Sequence, residues 1–166
     1  MLRFEHLRHK PPSLLSRPRE LIVVCAPLKS NVNLSNILRT ASCCGVQKVI
    51  ATGQAKVDKS IARDGAEEIE LVVHRTLPPV LKELKIAGYQ LVGLEQTTNS
   101  TLLPEFRFVR KTALVIGNER HGLADDALAL LDAVVEIPVY GLPYSYNVAT
   151  ATAMALYEFC RQDPQS

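Results

Sequence analysis

The chain lacks a long apolar run. None of its hydrophobic stretches approaches the roughly 18 residues that a helix needs to cross a bilayer. Arg3, Glu5, Arg8, Pro11 and Pro12 stand where a secretory leader would have an apolar core. A soluble, cytoplasmic protein is expected. The chain also lacks an excess of one charge. Its 19 Lys and Arg face 17 Asp and Glu, a formal net charge of +2, which is too small by itself to mark a nucleic-acid binder. Cysteines at metal spacing are missing. Cys25, Cys43, Cys44 and Cys160 make no CxxC pair, so no metal site is expected, and the thiols read as reduced and mostly buried small hydrophobes. Glycine-rich phosphate loops are missing too. The first apolar run ends at Ala26 and continues Pro27-Leu28-Lys29-Ser30-Asn31, which is neither GxGxxG nor a Walker loop. That sets aside a dinucleotide-binding Rossmann enzyme.

What is present suits one α/β domain. The 166 residues are 47% hydrophobic, ample for a core. Glu20 to Ala26 is a short apolar run ended by Pro27 and reads as a buried strand. Leu34, Ile37, Leu38 and Ala41 then fall on one helical face. Further strands are expected at Val46–Ala51, Ile69–Val73, Tyr89–Leu94, Thr112–Gly117 and Val134–Pro138. Helices are expected over the polar residues 57–66, from Pro78 or Pro79 to Ile86 with Gly88 beyond its end, over Leu123–Leu131, and over Asn147–Cys160. Alternating strands and helices imply a largely parallel sheet. Val148, Ala151, Thr152 and Ala155 make a small, apolar face on the last helix, from which a homodimer contact is expected.

The charge is unevenly spread. Residues 1–19 hold Arg3, Arg8, Lys10, Arg17 and Arg19 against the single acid Glu5. They read as a basic arm before the domain over 20–166, either a solvated tail or an RNA-backbone contact made by Arg8, Lys10, Arg17 and Arg19.

Three polar loops carry the functional signal. Each follows an apolar strand, and in open α/β sheets ligands bind outside the carboxyl ends of the strands. The first is Asn33-Leu34-Ser35-Asn36-Ile37-Leu38-Arg39, the second Gly117-Asn118-Glu119. The third runs from Ile137-Pro138 through Gly141 to Ser145-Tyr146-Asn147-Val148. In this order and spacing they resemble the three motifs of the SpoU/TrmH-type RNA 2′-O-methyltransferases of the SPOUT superfamily. Tyr146 departs from the leucine usual in that family. Leu94-Glu95-Gln96-Thr97 is similar to a segment that lines the family's cofactor pocket.

The resemblance implies a Rossmann-like N-terminal half with a C-terminal deep trefoil knot, a feature otherwise nearly absent from proteins. It implies S-adenosyl-L-methionine as cofactor, held by Leu94, Glu95, Gly117, Ile137, Leu142, Ser145, Tyr146 and Asn147. It implies RNA as substrate, with Asn33, Arg39, Glu119, Ser145 and Asn147 as the catalytic set and Arg39 also touching RNA. The form of the first and fourth segments is closer to the tRNA guanosine-18 enzymes. An rRNA methyltransferase, or a silent RNA-binding module of the same fold, are the alternatives. Each polar residue also has a plain structural role open to it. Arg39 could be a surface arginine, Glu119 a helix cap, and Asn33, Ser145 and Asn147 caps or turns. Glu119 is expected to orient Arg39 or the substrate. His121 lies beyond the motif and is not assigned as a base, and His74 reads as structural.

Overall fold

A computed structural model describes residues 3–7 and 10–163. Seven strands form one parallel sheet in the order β3-β2-β1-β6-β4-β7-β5. They are β1 (Leu21–Cys25), β2 (Lys48–Thr52), β3 (Glu70–His74), β4 (Gln90–Leu94), β5 (Thr101–Leu102), β6 (Thr112–Ile116) and β7 (Ala133–Glu136). The helices are α1 (Asn31–Cys43), α2 (Lys59–Ala62), α3 (Gly65–Glu68), α4 (Leu77–Ile86), α5 (Asp125–Leu128) and α6 (Val148–Gln162).

The central strands are apolar on both faces, as a covered parallel sheet requires. Val23, Val49, Leu114 and Val135 point to one side and meet α1, α6, Phe106 and Phe108. Val24, Ile50, Ala113 and Val115 point to the other and meet α4 and α5. On the first face the segment from β5 to β6 packs against the end of α6. Phe108 stacks edge-on against Phe106 and Phe159, and the Gln162 amide exchanges hydrogen bonds with the Phe106 carbonyl and the Phe108 N–H.

Local rules explain most element ends. Ser30 caps α1 by accepting from the Asn33 N–H, Pro78 and Pro79 open α4, and Gly88 follows α4 at φ 83°. Three expectations differ from the structure. Residues 57–66 form two short helices rather than one, because Asp58 caps α2 and the backbone turns at Arg63 with φ 51°. The expected helix over Leu123–Leu131 shrinks to α5. The Leu123 N–H is taken by the Glu95 carboxylate at 3.0 Å, and residues 129–131 close tighter turns that deliver Asp132 to β4. β5, two residues long, carries too little pattern to be read and is added at the sheet edge beside β7.

The face of α6 expected to join a second copy is split: Val148 and Ala151 are half-buried and line the cavity at the sheet edge. Thr152 and Ala155 are fully buried in the chain's own core. Large exposed apolar side chains instead crowd the loop before α6: Tyr140, Leu142, Tyr144 and Tyr146. Cys25 alone among the four cysteines is buried, while Cys44 and Cys160 are half-buried and Cys43 is exposed. Among the described residues no helix is long and apolar enough to cross a membrane, and none groups three or more metal-ligating side chains.

Candidate active site

Because the sheet is parallel, the loops after β1, β4, β6 and β7 open at one edge. A cavity of about 240 Å³ lies there, lined by Leu94, Glu95, Gly117, Glu119, Ile137 and Tyr146 among others. Its apolar walls come from Leu94, Ile116, Ile137 and Val139, and its polar wall from Glu95, Gln96, Asn118, Glu119 and Ser145. Ligand sites commonly have this composition, an apolar slot with a few directed polar groups.

One chain of hydrogen bonds joins the three loops. Glu119 accepts from the backbone N–H of Lys29 and of Ser30, both at 3.0 Å, and from Asn33 Nδ2 at 3.1 Å. Asn33 Oδ1 accepts in turn from Asn147 Nδ2 at 3.1 Å. Asn147 Oδ1 caps α6 by accepting from the N–H groups of Ala149 and Thr150 at 2.9 and 3.3 Å. These bonds assign the orientation of both amides, since each amide oxygen must face a donor. A parallel tie runs from Asn118, whose Nδ2 donates to the Pro27 carbonyl at 2.6 Å while its Oδ1 accepts from the Arg120 and His121 N–H groups.

Partial burial pushes the Glu119 carboxyl upward, but the N–H groups of Lys29 and Ser30 and the Asn33 amide more than offset it. Its pKa lies below the usual glutamate range. Glu119 is therefore a held carboxylate with at least three donors on it. Glu95 is similarly engaged, accepting from the N–H groups of Gln96 and Leu123. Its carboxylate lies against Gly122, and a Cβ built on Gly122 would come within 2.2 Å of it. Gly117 also has no room for a side chain, because an added Cβ would sit 2.7 Å from the Gly122 carbonyl carbon. This wall of the cavity is bare backbone.

Leu94, Glu95, Gly117, Ile137, Ser145 and Tyr146 line the cavity as expected of cofactor-binding residues, and Glu119 joins them. Leu142 does not. It is 76% exposed, near the tip of the loop that follows β7. Asn147 reaches the site through Asn33 rather than as part of the cavity lining. Arg39 is exposed on α1, makes no hydrogen bond or ion pair among the described residues, and lies outside the cavity lining. The expectation that Glu119 orients Arg39 is thus corrected: its donors are Lys29, Ser30 and Asn33. Asn118, Arg120, Gly122 and Val139 were not anticipated. Asn118 preceding a glycine four residues on is the signature of a side-chain-braced turn and could have flagged them.

The basic arm divides in two. Arg19 is a structural residue, with a side chain 7% exposed and an Nη1 that donates to the Asp163 carboxylate at 2.8 Å and carbonyl at 2.9 Å. That removes it from the set of free RNA contacts. Arg17 pairs with the same carboxylate at 2.8 Å but stays half-exposed. Leu15 packs over Gly45. Lys10 is exposed, and Arg8 lies outside the described residues.

A parallel doubly covered sheet with a ligand cavity at its carboxyl edge, walled by three polar loops, defines a family. Residues 20–157 match the SpoU rRNA Methylase family, and the chain belongs to it. Among its relatives is the tRNA (guanosine(18)-2′-O)-methyltransferase of Escherichia coli K12, 32% identical over 152 residues that cover 90% of this chain and 66% of that protein. The chain thus spans just under two thirds of that relative's length. The TrmH/SpoU tRNA modifying enzyme of Aquifex aeolicus superposes with a TM-score of 0.83 at 30% identity, covering 89% of this chain and 77% of that one. The SpoU methyltransferase AviRb of Streptomyces viridochromogenes, solved in complex with the cofactor AdoMet, superposes at 0.75 with 29% identity, covering 89% of this chain and 62% of the other.

Proposed function

We propose that this chain is an S-adenosyl-L-methionine-dependent RNA ribose 2′-O-methyltransferase acting on tRNA, with a D-loop guanosine as first candidate. The relatives' names support the tRNA substrate, and the AdoMet complex of AviRb supports the cofactor. The observation that carries the reading is the hydrogen-bond chain Glu119–Asn33–Asn147, which ties all three motif loops together beside one cavity.

The cavity fits the cofactor. Its bare wall at Gly117 offers main-chain groups to a purine edge, and Leu94, Ile116, Ile137 and Val139 suit an apolar ring face. When bound, S-adenosylmethionine supplies an activated methyl group. The chain's own residues supply alignment. Asn33 and Asn147 each have an amide oxygen committed, and each keeps a second Nδ2 hydrogen for a ribose oxygen. Glu119 fixes the Asn33 amide and, being held ionised by its donors, is a weak base. Its role is positioning, which leaves proton removal to another group or to water. Arg39, exposed and without a partner among the described residues, presents a guanidinium that stabilises the oxygen becoming negative as the 2′-OH loses its proton.

The same reading includes a trefoil knot, supported by the family membership and by the contacts of Phe106 and Phe108 with Phe159 and Gln162 near the end of α6. It includes a homodimer, supported by the exposed Tyr140, Leu142, Tyr144 and Tyr146 that a second copy would cover. It also includes a cytoplasmic location beside the tRNA. Titration of the purified chain with S-adenosylmethionine, followed by mass mapping of tRNA methylated in vitro, tests the activity. Saturable binding with one new 2′-O-methylated guanosine is expected. Absence of cofactor binding at millimolar concentration overturns the reading. Light scattering at micromolar concentration tests the dimer.

A further inference from the structure

Two thiols meet at the end of the molecule opposite the cavity. Cys44 is the C-cap of α1, and Cys160 lies near the end of α6. They are 116 residues apart in the chain, yet Cys160 Sγ lies 3.8 Å from the Cys44 carbonyl oxygen, which puts the two residues side by side. Both are half-buried, so small reagents can reach them while bulky ones are hindered.

Arg19 completes the cluster. Its side chain is more than nine-tenths buried, and its Nε has no hydrogen-bond partner among the described residues although Nη1 is engaged by Asp163. An unpaired buried N–H is costly and rare, which singles out this position. A guanidinium beside a partly accessible thiol is the setting in which cysteines become nucleophilic. The ionisation agrees. The neighbouring Cys44 thiol holds Cys160 down at about 7, burial and Asp163 oppose it, and Arg19 assists. The same neighbourhood, with burial, pushes Cys44 up. Cys25 has no such setting, since full burial and then Glu119 push it up to about 12.

We propose that Cys160 and Cys44 form a peroxide-sensitive dithiol, with Cys160 the attacking thiol and Cys44 the resolving one. The Cys160 thiolate attacks the O–O bond of a hydroperoxide. The S–O bond forms, the O–O bond breaks, and the departing oxygen leaves as water or an alcohol after taking a proton. The Cys44 sulfur then attacks the sulfenic acid at Cys160. The S–S bond forms, the S–O bond breaks, and water leaves with the Cys44 proton. Two electrons pass from the two thiols to one hydroperoxide. The resulting bond fastens the ends of α1 and α6 that lie away from the Asn33–Asn147 bridge. None of this depends on methyl transfer.

The test uses the full chain carrying Cys43→Ser, so that the exposed neighbouring thiol does not compete. The protein is reduced, freed of reductant and exposed to hydrogen peroxide. Non-reducing peptide mapping is expected to find a Cys44–Cys160 cross-link within one chain, together with a higher thermal midpoint that dithiothreitol reverses. With Cys44→Ser added, dimedone is expected to label Cys160. The proposal is overturned if the cross-link joins two chains, if no Cys44–Cys160 peptide forms while the protein stays folded by circular dichroism, or if dimedone leaves Cys160 unlabelled in the Cys44→Ser protein.

Discussion

Helices α1 and α6 lie side by side, and their two ends are held by different chemistry. At the cavity end the contact is a row of uncharged amides on a carboxylate: Asn147 to Asn33 at 3.1 Å, and Asn33 to Glu119 at 3.1 Å. Asn33 is buried, Glu119 half-buried and Asn147 exposed, and each amide keeps a donor to spare. At the far end Cys44 meets Cys160, and the end of α6 is held by a buried ion pair from Asp163 to Arg19 of the segment before β1, beside the apolar cap of Leu15 over Gly45. An ion pair taken out of water is stiff and intolerant of losing one partner. A row of amides in contact with solvent is a weaker clamp, but its unused hydrogens remain available to a ligand. The same helix pair is thus anchored at one end and presented to a ligand at the other.

The largest expected effect belongs to the presenting end and is purely chemical. Arg39→Ala should lower single-turnover methyl transfer by about 10²–10³-fold, the usual loss when one stabiliser of a developing oxyanion is removed. Cofactor affinity and urea midpoint should barely move, because the side chain is exposed and unpaired. Wild-type transfer by this variant would sink its role at the ribose. At the anchoring end Asp163→Ala should cost about 3 kcal/mol in urea denaturation by leaving the Arg19 charge buried without a partner. Its cofactor affinity should be retained wherever the protein stays folded. If this variant denatured like the wild type, the contrast between the two ends would fail.

Asn33→Ala falls between these. It strips one donor from Glu119 and the acceptor from Asn147, so a loss of about 1–2 kcal/mol is expected, now together with weaker cofactor binding. Calorimetry on one sample reads both. Glu119 adds a pH signature. Its folded pKa is depressed, so its contribution is fully present above the unfolded value of about 4.3 and is lost as pH falls below it through the folded value. Glu119→Gln should flatten stability against pH in that acid range and leave it unchanged in slope near neutrality. An unaltered acid limb would show that the carboxylate is not held as described.

The smallest effect concerns the arm. Deleting residues 1–14 leaves Leu15, Arg17 and Arg19 in place, so stability should hold. The salt slope of tRNA binding should fall by about 0.7–0.9 for each phosphate that the shortened arm no longer neutralises. An unchanged slope would make Lys10 and its neighbours a solvated tail. Deleting residues 1–19 would instead confound binding with folding, because Arg19 belongs to the anchor.

The α/β alternation was legible because a strand buried on both faces must be an unbroken apolar run, as at Leu21–Cys25 and Thr112–Ile116. The polar loops were legible for a related reason: motif residues had to be small, amide-bearing or glycine, and they stood at strand ends. β5 was not, since two residues have no period. The length of α5 was not, since a distant carboxylate, Glu95, claims the N–H of Leu123. Leu142, a cofactor residue only through the family resemblance, stands outside the cavity lining, because a motif position does not fix which way a loop side chain turns.

By itself, then, the sequence determined a parallel α/β arrangement with its polar motifs at a common edge. A parallel sheet leaves the carboxyl ends of all its strands on one side, so local pattern is sufficient for that. Only the tertiary structure decided which groups meet. Glu119 took Asn33, 86 residues away, instead of Arg39. Asp163 took Arg19, 144 residues away, out of the basic arm. Cys160 took Cys44, 116 residues away. Each of these pairings joins segments that only the packing of strands, loops and helices brings together, and no run of neighbouring residues carries that information.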